Sequence, residues 1–454
     1  MKKLWQKNWE LDSFIESFET KDDLLLDQYL AIYDVYGSIA HVRMLTKIGI
    51  LQKQEQSKLL SGFAEILYLI KINNFILEQG DEDIHTKIEN FLIVKYGDVG
   101  KKVHTGRSRN DQVLTAMRLF SKEKLLYIWK NLLLLIESFL VFAKKYEFQV
   151  IPGYTHTQKA MPSSVGMWAG AFIEAFFDDL NVLKVSYSLN DKSPLGSAAG
   201  YGVPLPLDRE YVSELLGFSK LQLNSLYCQN SRGKIEAIIL SALNNILLDI
   251  NKFATDVLLF TTSEFDYFKI AKKLCSGSSI MPQKNNVDIA ELLRSKVHIT
   301  AGNYIQILSL SSNLISGYNR DLQDSKKPFM DSLEVSQDSI KVAKILISNI
   351  TPNKVKLKNA LTPELFATHK AIDLVKNGMS FREAYQIVSS NSPKVNSITI
   401  SNVLKQSEHI GGTGCLGLEI YSDLIKKEMN DYKYEHKKYK FTIKTLVKGG
   451  DKNE

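Results

Sequence analysis

The longest helical pattern in the sequence starts after Gln112 and contains neither glycine nor proline before Pro152. Apolar residues recur along it at steps of three and four, with one wider gap: Val113, Met117, Phe120, Ile128, Leu132, Leu135, Phe139 and Phe142. An α-helix rises about 1.5 Å per residue, so roughly 40 residues predict a rod of about 60 Å. The leucine-rich middle of this rod is apolar on nearly every side, which predicts burial among several other helices.

Four further long helical patterns follow, at residues 162–189, 232–265, 288–314 and 328–350, and strand patterns are almost absent from this part of the chain. Together with the first rod they predict an antiparallel five-helix bundle, the natural packing for long helices that follow one another. Pro352 closes this central region.

Shorter helical patterns lie on both sides of the predicted bundle. Before it, they occupy residues 27–48, 51–72 and 88–96. After it come helices at residues 363–376 and 381–389 and then a less regular, basic tail. The sequence therefore predicts an all-α chain with three domains, at residues 1–103, 104–352 and 353–454.

The charge balance narrows the class of partner. The chain has a formal net charge of +7, and its most lysine-rich stretch is residues 426–454. No arginine cluster or nucleic-acid-binding motif accompanies these lysines, so they predict a solvated face rather than a nucleic-acid site. A mild basic bias also suits a small anionic substrate.

Cysteines and apolar runs bear on the compartment. Cys228, Cys275 and Cys415 are few, far apart and odd in number, which predicts neither a disulfide framework nor a cysteine-based zinc site. Residues 1–10 are polar, and the most apolar stretch, residues 132–136, is far shorter than the roughly 20 residues that span a bilayer. We expect a cytoplasmic protein with no membrane segment.

Polar turns lie at the ends of the predicted rods. They occupy residues 104–112, 152–159, 277–291 and 317–326, and a long loop rich in glycine and proline covers residues 193–209. Connecting segments carry function more often than core elements do. Surface turns and helix caps are the alternative interpretation, because acidic and hydroxyl side chains also favour helix N-termini.

Three of these turns resemble the fumarase/aspartase superfamily of lyases. They are His-Thr-Gly-Arg-Ser-Arg-Asn-Asp-Gln at residues 104–112, the string with Thr155, His156 and Gln158 at residues 154–162, and the string at residues 277–286 that begins Gly-Ser-Ser-Ile-Met-Pro-Gln-Lys. Within that superfamily the first and third strings look like the argininosuccinate lyases. The turns at residues 193–196 and 318–326 support the same branch.

The resemblance implies a fold, an assembly and a reaction. The implied fold has three all-α domains, and four subunits join their central five-helix bundles into a twenty-helix core. Each active site is then shared between three subunits of a homotetramer. The implied reaction is the reversible cleavage of a small substrate, argininosuccinate, to arginine and fumarate through a carbanion with aci-carboxylate character, without metal or organic cofactor.

By similarity, four residues take part in the chemistry: Ser278 as the base, His156 as a proton-transfer group, Glu291 from a neighbouring subunit as its partner, and Lys284 beside the developing charge. The substrate-binding residues implied in the same way are Ser108, Arg109, Asn110, Thr155, Arg209, Asn286, Tyr318, Gln323 and Lys326. The residues leave open whether Ser278 or His156 takes the first proton.

Some positions have a structural alternative or depart from the family pattern. Arg107 fits a structural ion pair as well as a substrate contact, and Glu291 fits a plain first-turn helix carboxylate. After Lys284 the family usually has Lys-Asn-Pro, whereas Asn285, Asn286 and Val287 stand here. The family also carries a substrate-binding serine near its N-terminus, and residues 20–23 contain none.

Two rival functions are weaker. Adenylosuccinate lyases share the scaffold, but the string at residues 104–112 argues against that branch. A catalytically silent protein on the same scaffold would not need to retain Ser278, His156, Lys284 and Glu291 together.

Overall fold

The structure, a computed structural model, describes residues 12–20, 23–78, 81–390 and 400–448. The α-helices are α1 (Ser13–Thr20), α2 (Asp23–Lys47), α3 (Lys53–Lys71), α4 (Ile84–Tyr96), α5 (Asp98–Lys101), α6 (Arg109–Lys145), α7 (Val165–Asn190), α8 (Arg209–Leu215), α9 (Ser225–Asn230), α10 (Lys234–Phe260), α11 (Asp288–Leu310), α12 (Lys326–Ile347), α13 (Lys354–Asn359), α14 (Ala367–Lys376), α15 (Phe381–Ser390), α16 (Ile400–Lys405) and α17 (Leu418–Lys448). The strands are β1 (Val150–Thr155), β2 (Gln158–Ser164), β3 (Lys192–Ser193), β4 (Lys220–Leu221), β5 (Phe268–Ile270) and β6 (Ile350–Pro352). The all-α prediction is confirmed, because these strands form only three two-stranded pairs in the described residues.

Helix α6 is the predicted rod. Its 37 residues span about 55 Å. Ser108 and Asp111 form a capping box at its start. The Ser108 hydroxyl accepts a hydrogen bond from the backbone N–H of Asn110, and the Asp111 carboxylate accepts one from the backbone N–H of Ser108. In its second half, the buried ring of Phe139 contacts Phe172 of α7 and Phe253 of α10, at centroid distances of 5.6 and 5.0 Å. Aromatic packing thus joins three helices of the predicted bundle.

Helices α6, α7, α10, α11 and α12 pack on one another as an antiparallel bundle. The hairpin β1–β2 turns the chain from α6 into α7, with Val150 opposite Ser164. Strands β5 and β6 pair antiparallel and join the ends of α10 and α12. We call the end with the starts of α6, α10 and α12 the first end of the bundle, and the opposite one the second end.

The polar turn predicted at residues 152–159 is a β-hairpin. Its strands extend to Ser164, so α7 starts at Val165 rather than at Pro162. Ser164 caps α7 by accepting a hydrogen bond from the backbone N–H of Met167 at 3.0 Å. The helical pattern of the sequence therefore included the end of a strand.

The prediction of a less regular C-terminal tail is wrong for residues 418–448, which form the 31-residue helix α17. Its buried Ile425, Tyr432 and Leu446 are spaced by multiples of seven residues, so one narrow stripe packs on the protein among many lysines. The Tyr432 ring contacts Trp129 of α6. Arg43 of α2 donates a hydrogen bond to the Leu446 carbonyl at 3.0 Å. The domain boundaries at residues 103 and 352 stay a prediction.

Two bundle helices, α6 and α10, are long and apolar enough by composition to cross a membrane. Within the most apolar windows of these helices, 61% and 56% of the residues are buried inside the protein. Most of their apolar side chains are buried against other parts of the protein, as in the core helices of a bundle.

Candidate active site

The structure divides the predicted site residues between the two ends of the bundle. Those at the first end are Ser108, Arg109, Asn110, Arg209, Tyr318, Gln323 and Lys326. Those at the second end are Thr155, His156, Ser278, Lys284, Asn286 and Glu291. Helix α11, which runs from one set to the other, has 23 residues and spans about 35 Å. One chain therefore does not bring the two sets together.

At the first end, five of the predicted residues line one cavity of about 220 Å³: Arg109, Asn110, Tyr318, Gln323 and Lys326. The same lining carries the carboxylates of Asp23, Asp27, Glu82 and Asp83 and the guanidinium of Arg232. Cations and anions from α2, α6, α12 and the turn before α4 thus meet around one cavity. Lys21 and Asp22 lie outside the described residues.

Arg109 is held by the acidic turn before α4. Its guanidinium forms ion pairs with Glu82 and with Asp83, the latter at 3.3 Å, and donates a hydrogen bond to Thr86 Oγ1 at 3.0 Å. These contacts fix the fork of the guanidinium beside the cavity, where it remains partly exposed. A planar fork suits bidentate recognition of a carboxylate.

Lys326 is almost fully buried between two carboxylates of α2. Its Nζ lies 2.8 Å from Asp23 Oδ1 and 2.9 Å from Asp27 Oδ1. Burial lowers the pKa of the ammonium, but the charges of Asp27 and Asp23 outweigh that effect and raise it. Lys326 therefore carries its charge at neutral pH and ties α12 to α2 under the cavity.

Two neighbours complete the wall at this end. Gln323 Nε2 donates a hydrogen bond to the Glu19 carbonyl at 2.7 Å. The guanidinium carbon of Arg232 lies 5.1 Å from the centre of the Tyr318 ring, a cation–π contact. The sequence did not indicate that Arg232 lines this cavity, because the only signal was an arginine near the start of a helix.

Ser108 and Arg209 are engaged in local structure. The Ser108 hydroxyl accepts the capping hydrogen bond of α6. The Arg209 guanidinium donates to the backbone carbonyls of Leu195, Leu223 and Gln222, at 3.1, 3.1 and 2.9 Å. Arg209 thus holds the loop at residues 193–208 against the following segment, and it does not line the cavity of Arg109.

Beneath the first-end cavity lies a buried set of charges. His85 Nδ1 is 2.8 Å from Asp34 Oδ1, and both side chains are almost completely buried. Burial lowers the pKa of His85, but Asp34 outweighs that effect and raises it. Arg107 is buried and donates to Ser38 Oγ and to the Val103 carbonyl, at 2.8 and 2.9 Å. These contacts of Arg107 are structural, but they are hydrogen bonds to a hydroxyl and a carbonyl oxygen rather than the expected ion pair.

His104 lies close to the same charges. Burial, with the charges of Arg107 and Arg109 beside it, lowers its pKa to about 4. His104 is therefore neutral at physiological pH and adds no charge to the cavity.

At the second end, His156 lies at the tip of the β1–β2 hairpin. Thr155 pairs with Gln158, so His156 and Thr157 form a two-residue turn, with φ values of 53° and 59°. Both values are positive, as a type I′ turn requires, although neither residue is glycine. Left-handed backbone is strained for a β-branched residue such as Thr157. The turn exposes the imidazole of His156 to solvent.

The loop that contains Ser278 is closed at its base. Ser276 and Asn286 exchange two backbone hydrogen bonds of 3.0 and 2.9 Å. Asn286 Nδ2 also donates to the Gly277 carbonyl at 3.5 Å. The backbone of Asn286 closes the loop without the family proline, and Val287 then precedes α11.

Inside this loop, Ser278 Oγ accepts hydrogen bonds from two backbone amides, those of Met281 at 3.1 Å and Ile280 at 3.4 Å. Amide donors aimed at a hydroxyl oxygen would stabilise its alkoxide form. Lys284 is exposed on the same loop, and Glu291 is exposed in the first turn of α11. This end therefore carries a serine, a lysine, an imidazole and a carboxylate, all open to a neighbouring molecule.

A family model described as "Lyase" matches residues 10–301 of this chain. The argininosuccinate lyase of Thermotoga neapolitana is 44% identical over 387 residues, which cover 85% of this chain and 97% of the relative. The argininosuccinate lyase of Parabacteroides distasonis is 36% identical over 95% of this chain and 97% of its own length.

The chain belongs to the argininosuccinate lyase family. The family assignment agrees with the three motifs in the turns that the structure places at the bundle ends. It also confirms that the chain is related to lyases, as the resemblance implied.

Solved structures show the same fold for this member of the argininosuccinate lyase family. An EDDS lyase variant with bound fumarate superposes with a TM-score of 0.80 over 97% of this chain and 95% of that one, at 22% identity. A class II fumarase from Schistosoma mansoni gives a TM-score of 0.68 over 82% and 91% of the two chains, at 17% identity. These likenesses confirm the fumarase/aspartase-like fold.

Proposed function

We propose that this chain is an argininosuccinate lyase, which cleaves argininosuccinate reversibly to arginine and fumarate. The observation that carries the proposal is its 44% identity to an enzyme of that name, over nearly the whole length of that enzyme. The cavity of Arg109 and the loop of Ser278 supply the two kinds of group that the reaction needs. The cavity supplies cations that can bind carboxylates, and the loop supplies a hydroxyl oxygen that can accept a proton.

The reaction is a β-elimination. A base takes the proton from the carbon beside a carboxylate of the succinyl group, and the electron pair moves into that carboxylate as an aci-carboxylate. The pair then forms the carbon–carbon double bond of fumarate while the carbon–nitrogen bond breaks. The departing guanidino nitrogen takes a proton from an acid, which releases arginine.

Ser278 is the proposed base. A serine hydroxyl is a weak base until its alkoxide is stabilised. The amides of Met281 and Ile280 already donate to its oxygen, and Lys284 follows on the same loop. Lys284 and Asn286 are proposed to hold the reacting carboxylate as its negative charge grows.

His156 is proposed to transfer a proton, with Glu291 of a neighbouring subunit beside it. An imidazole exchanges protons near neutral pH, and a carboxylate partner fixes its tautomer and orientation. Thr155, one residue before His156, is proposed to bind a substrate carboxylate. His156 lies in the strained turn at the hairpin tip, and Thr155 ends the strand before it.

The first-end cavity is proposed to bind the rest of the substrate. Arg109 and Asn110 would hold a carboxylate, and Tyr318, Gln323 and Lys326 would form the opposite wall. Ser108 and Arg209 were also predicted to bind substrate. We propose instead that they position neighbouring parts of the site. Ser108 starts the helix that presents Arg109, and Arg209 holds the loop beside it.

We propose a homotetramer with each site shared between three subunits. The separation of the two bundle ends supports this assembly, because a second chain is needed to bring them together. Helix α11 also exposes large apolar side chains: 55% of Leu292, 45% of Ile299 and 59% of Ile305 are accessible. An exposed apolar surface on a central helix is typical of a subunit interface. The three free cysteines fit a reducing compartment such as the cytoplasm.

The appearance of fumarate tests the proposed reaction. The purified protein should release fumarate, followed by its ultraviolet absorbance, from argininosuccinate. The same assay with adenylosuccinate is the control for the related branch and should give no signal. Absence of fumarate from argininosuccinate, with the protein folded by circular dichroism, would contradict the proposed function.

A further inference from the structure

A second cavity, of about 790 Å³, lies halfway along the bundle between α2, α6, α12 and α17. We call it the mid-bundle cavity. Its residue Lys124 is fourteen positions after Asn110 on α6, which places it about 20 Å from the first-end cavity. Another fifteen residues of helix separate Lys130 from the end of α6 at Lys145. The mid-bundle cavity is therefore separate from both sets of proposed active-site residues.

Four lysines line the mid-bundle cavity, Lys124 and Lys130 from α6 and Lys440 and Lys444 from α17. Glu123 is the one carboxylate in that lining, so the formal charge is +3 with the histidine neutral. Within the part of the chain that the structure describes, none of the four lysines has a carboxylate within ion-pair distance. Like charges around a common space repel one another, and an anion in that space would relieve the repulsion.

Glu123 does not neutralise these lysines because it faces phenols. Its Oε2 accepts a hydrogen bond from Tyr439 Oη at 3.3 Å. Burial raises the pKa of Tyr36, which also lines the cavity, to about 12, and the charge of Glu123 adds to the effect. The carboxylate is thus hydrogen-bonded to the tyrosine wall, and the lining keeps its excess of positive charge.

Flat rings form part of the lining. Tyr432 and His436, one turn apart on α17, stack with centroids 5.3 Å apart and an angle of 20° between their planes. Burial lowers the pKa of His436, and the charges of Lys440 and Lys130 lower it further. The imidazole is therefore neutral at physiological pH and presents an uncharged ring beside the lysines.

We propose that the mid-bundle cavity is a binding site for a small polyanion that carries a planar ring, the chemical class of the mononucleotides. The lysines recognise the phosphate charges, and the aromatic wall with Tyr432 and His436 packs against the ring. The volume lies within the range of sites that enclose small molecules, about 300–1,000 Å³. Because α17 and α6 both contribute, the ligand would fasten the C-terminal helix to the bundle.

The test is calorimetric titration of the full-length protein with ATP, without divalent cations and at fixed ionic strength. Tripolyphosphate supplies the charge without the ring, and adenosine supplies the ring without the charge. ATP should bind more tightly than either probe. In the double variant Lys440→Ala/Lys444→Ala, ATP should bind about tenfold or more weakly, which is about 1.4 kcal/mol.

The matched control is Lys433→Ala/Lys437→Ala. These two lysines have the same spacing on the same helix, and the change in net charge is identical, but they do not line the cavity. The control should bind ATP with unchanged affinity. Equal weakening in both double variants would show diffuse surface attraction and overturn the proposal. Equal affinities for ATP and tripolyphosphate, or no binding of ATP at all, would overturn it as well.

Discussion

Ser278 Oγ lies 3.1 Å from the backbone nitrogen of Met281 and accepts its hydrogen bond within the loop between Ser276 and Asn286. A hydroxyl in such a place has its donors assembled before any substrate arrives. The energetic benefit grows as the oxygen gains negative charge, because hydrogen bonds to an ionised acceptor are stronger than those to a neutral one. The loop therefore favours the basic form of the serine.

Replacing this serine tests its role as the base. Ser278→Ala should lower kcat by about 10³-fold or more, since a positioned proton acceptor contributes about 10²–10⁴-fold. Ser276→Ala is the matched control, because Ser276 uses its backbone to close the loop and Ala preserves that contact. Steady-state fumarate release from both variants, each checked for assembly by light scattering, measures the difference. A near-normal kcat for Ser278→Ala would remove Ser278 as the base.

Mixed assemblies test the shared site. Arg109 and Ser278 lie at opposite ends of the bundle within one chain, so the proposed site would take them from different subunits. Co-refolding Arg109→Ala with Ser278→Ala should recover about a quarter of the wild-type activity, because random assembly gives one site in four with both residues intact. Ser278→Ala mixed with Lys284→Ala is the control and should recover nothing, since both changes affect the same loop. Hybrids that form without any recovery would contradict the shared site.

The buried ammonium of Lys326 predicts a large stability effect. Lys326→Met leaves Asp23 and Asp27 without their cation and should cost about 3–5 kcal/mol of unfolding free energy. The double variant Lys326→Met/Asp27→Asn should regain part of that loss, because it removes one of the uncompensated charges. Thermal or urea unfolding measures both. A double variant no more stable than the single one would show that the ion pair is not the cause.

A carboxyl pair between α7 and α10 predicts a pH-dependent stability. Burial of Asp179, with the neighbouring charge and hydrogen bond of Asp249, raises its pKa to about 8. The folded protein holds this proton at pH values where the unfolded chain, with a pKa of about 3.9, has lost it. The contribution of this proton to the free energy of unfolding is thus complete below about pH 4 and is lost as pH rises through about 8.

Asp179→Asn should remove that dependence. Between pH 6 and 9 the melting temperature of the wild type should fall relative to the variant, by an amount that corresponds to a few kcal/mol. Asp423→Asn, an exposed carboxylate on α17, is the control and should follow the wild type. Parallel curves for Asp179→Asn and the wild type would contradict the raised pKa.

Helices with wide or continuous apolar faces were predictable from the sequence, and α6 is the clearest case because no glycine or proline interrupts it. Helix α17 was not predictable in the same way. It buries a narrow stripe at multiples of seven residues among lysines, and such a pattern becomes recognisable only once α6 lies beneath it. The β1–β2 hairpin was missed because its turn uses two non-glycine residues in left-handed backbone.

The candidate site also has features that the sequence predicted and features that it did not. The motifs identified the loops of Ser278, His156 and Arg109 by their residue types. A motif is a local sequence pattern, so it can be recognised without knowledge of tertiary contacts. The partners of those residues depend on the path of the chain. Asp27, which pairs with Lys326, and Arg232, which stacks on Tyr318, come from distant segments. No local sequence pattern therefore predicted these contacts.

Because of the length of the bundle, we expect enzyme activity to depend on protein concentration. The two sets of proposed site residues lie about 35 Å or more apart in one chain, so under the proposed function a single chain holds both sets without bringing them together. In the proposed tetramer, activity per chain is then a measure of assembly. Dilution below the dissociation constant of the tetramer would therefore stop catalysis while every helix stayed folded.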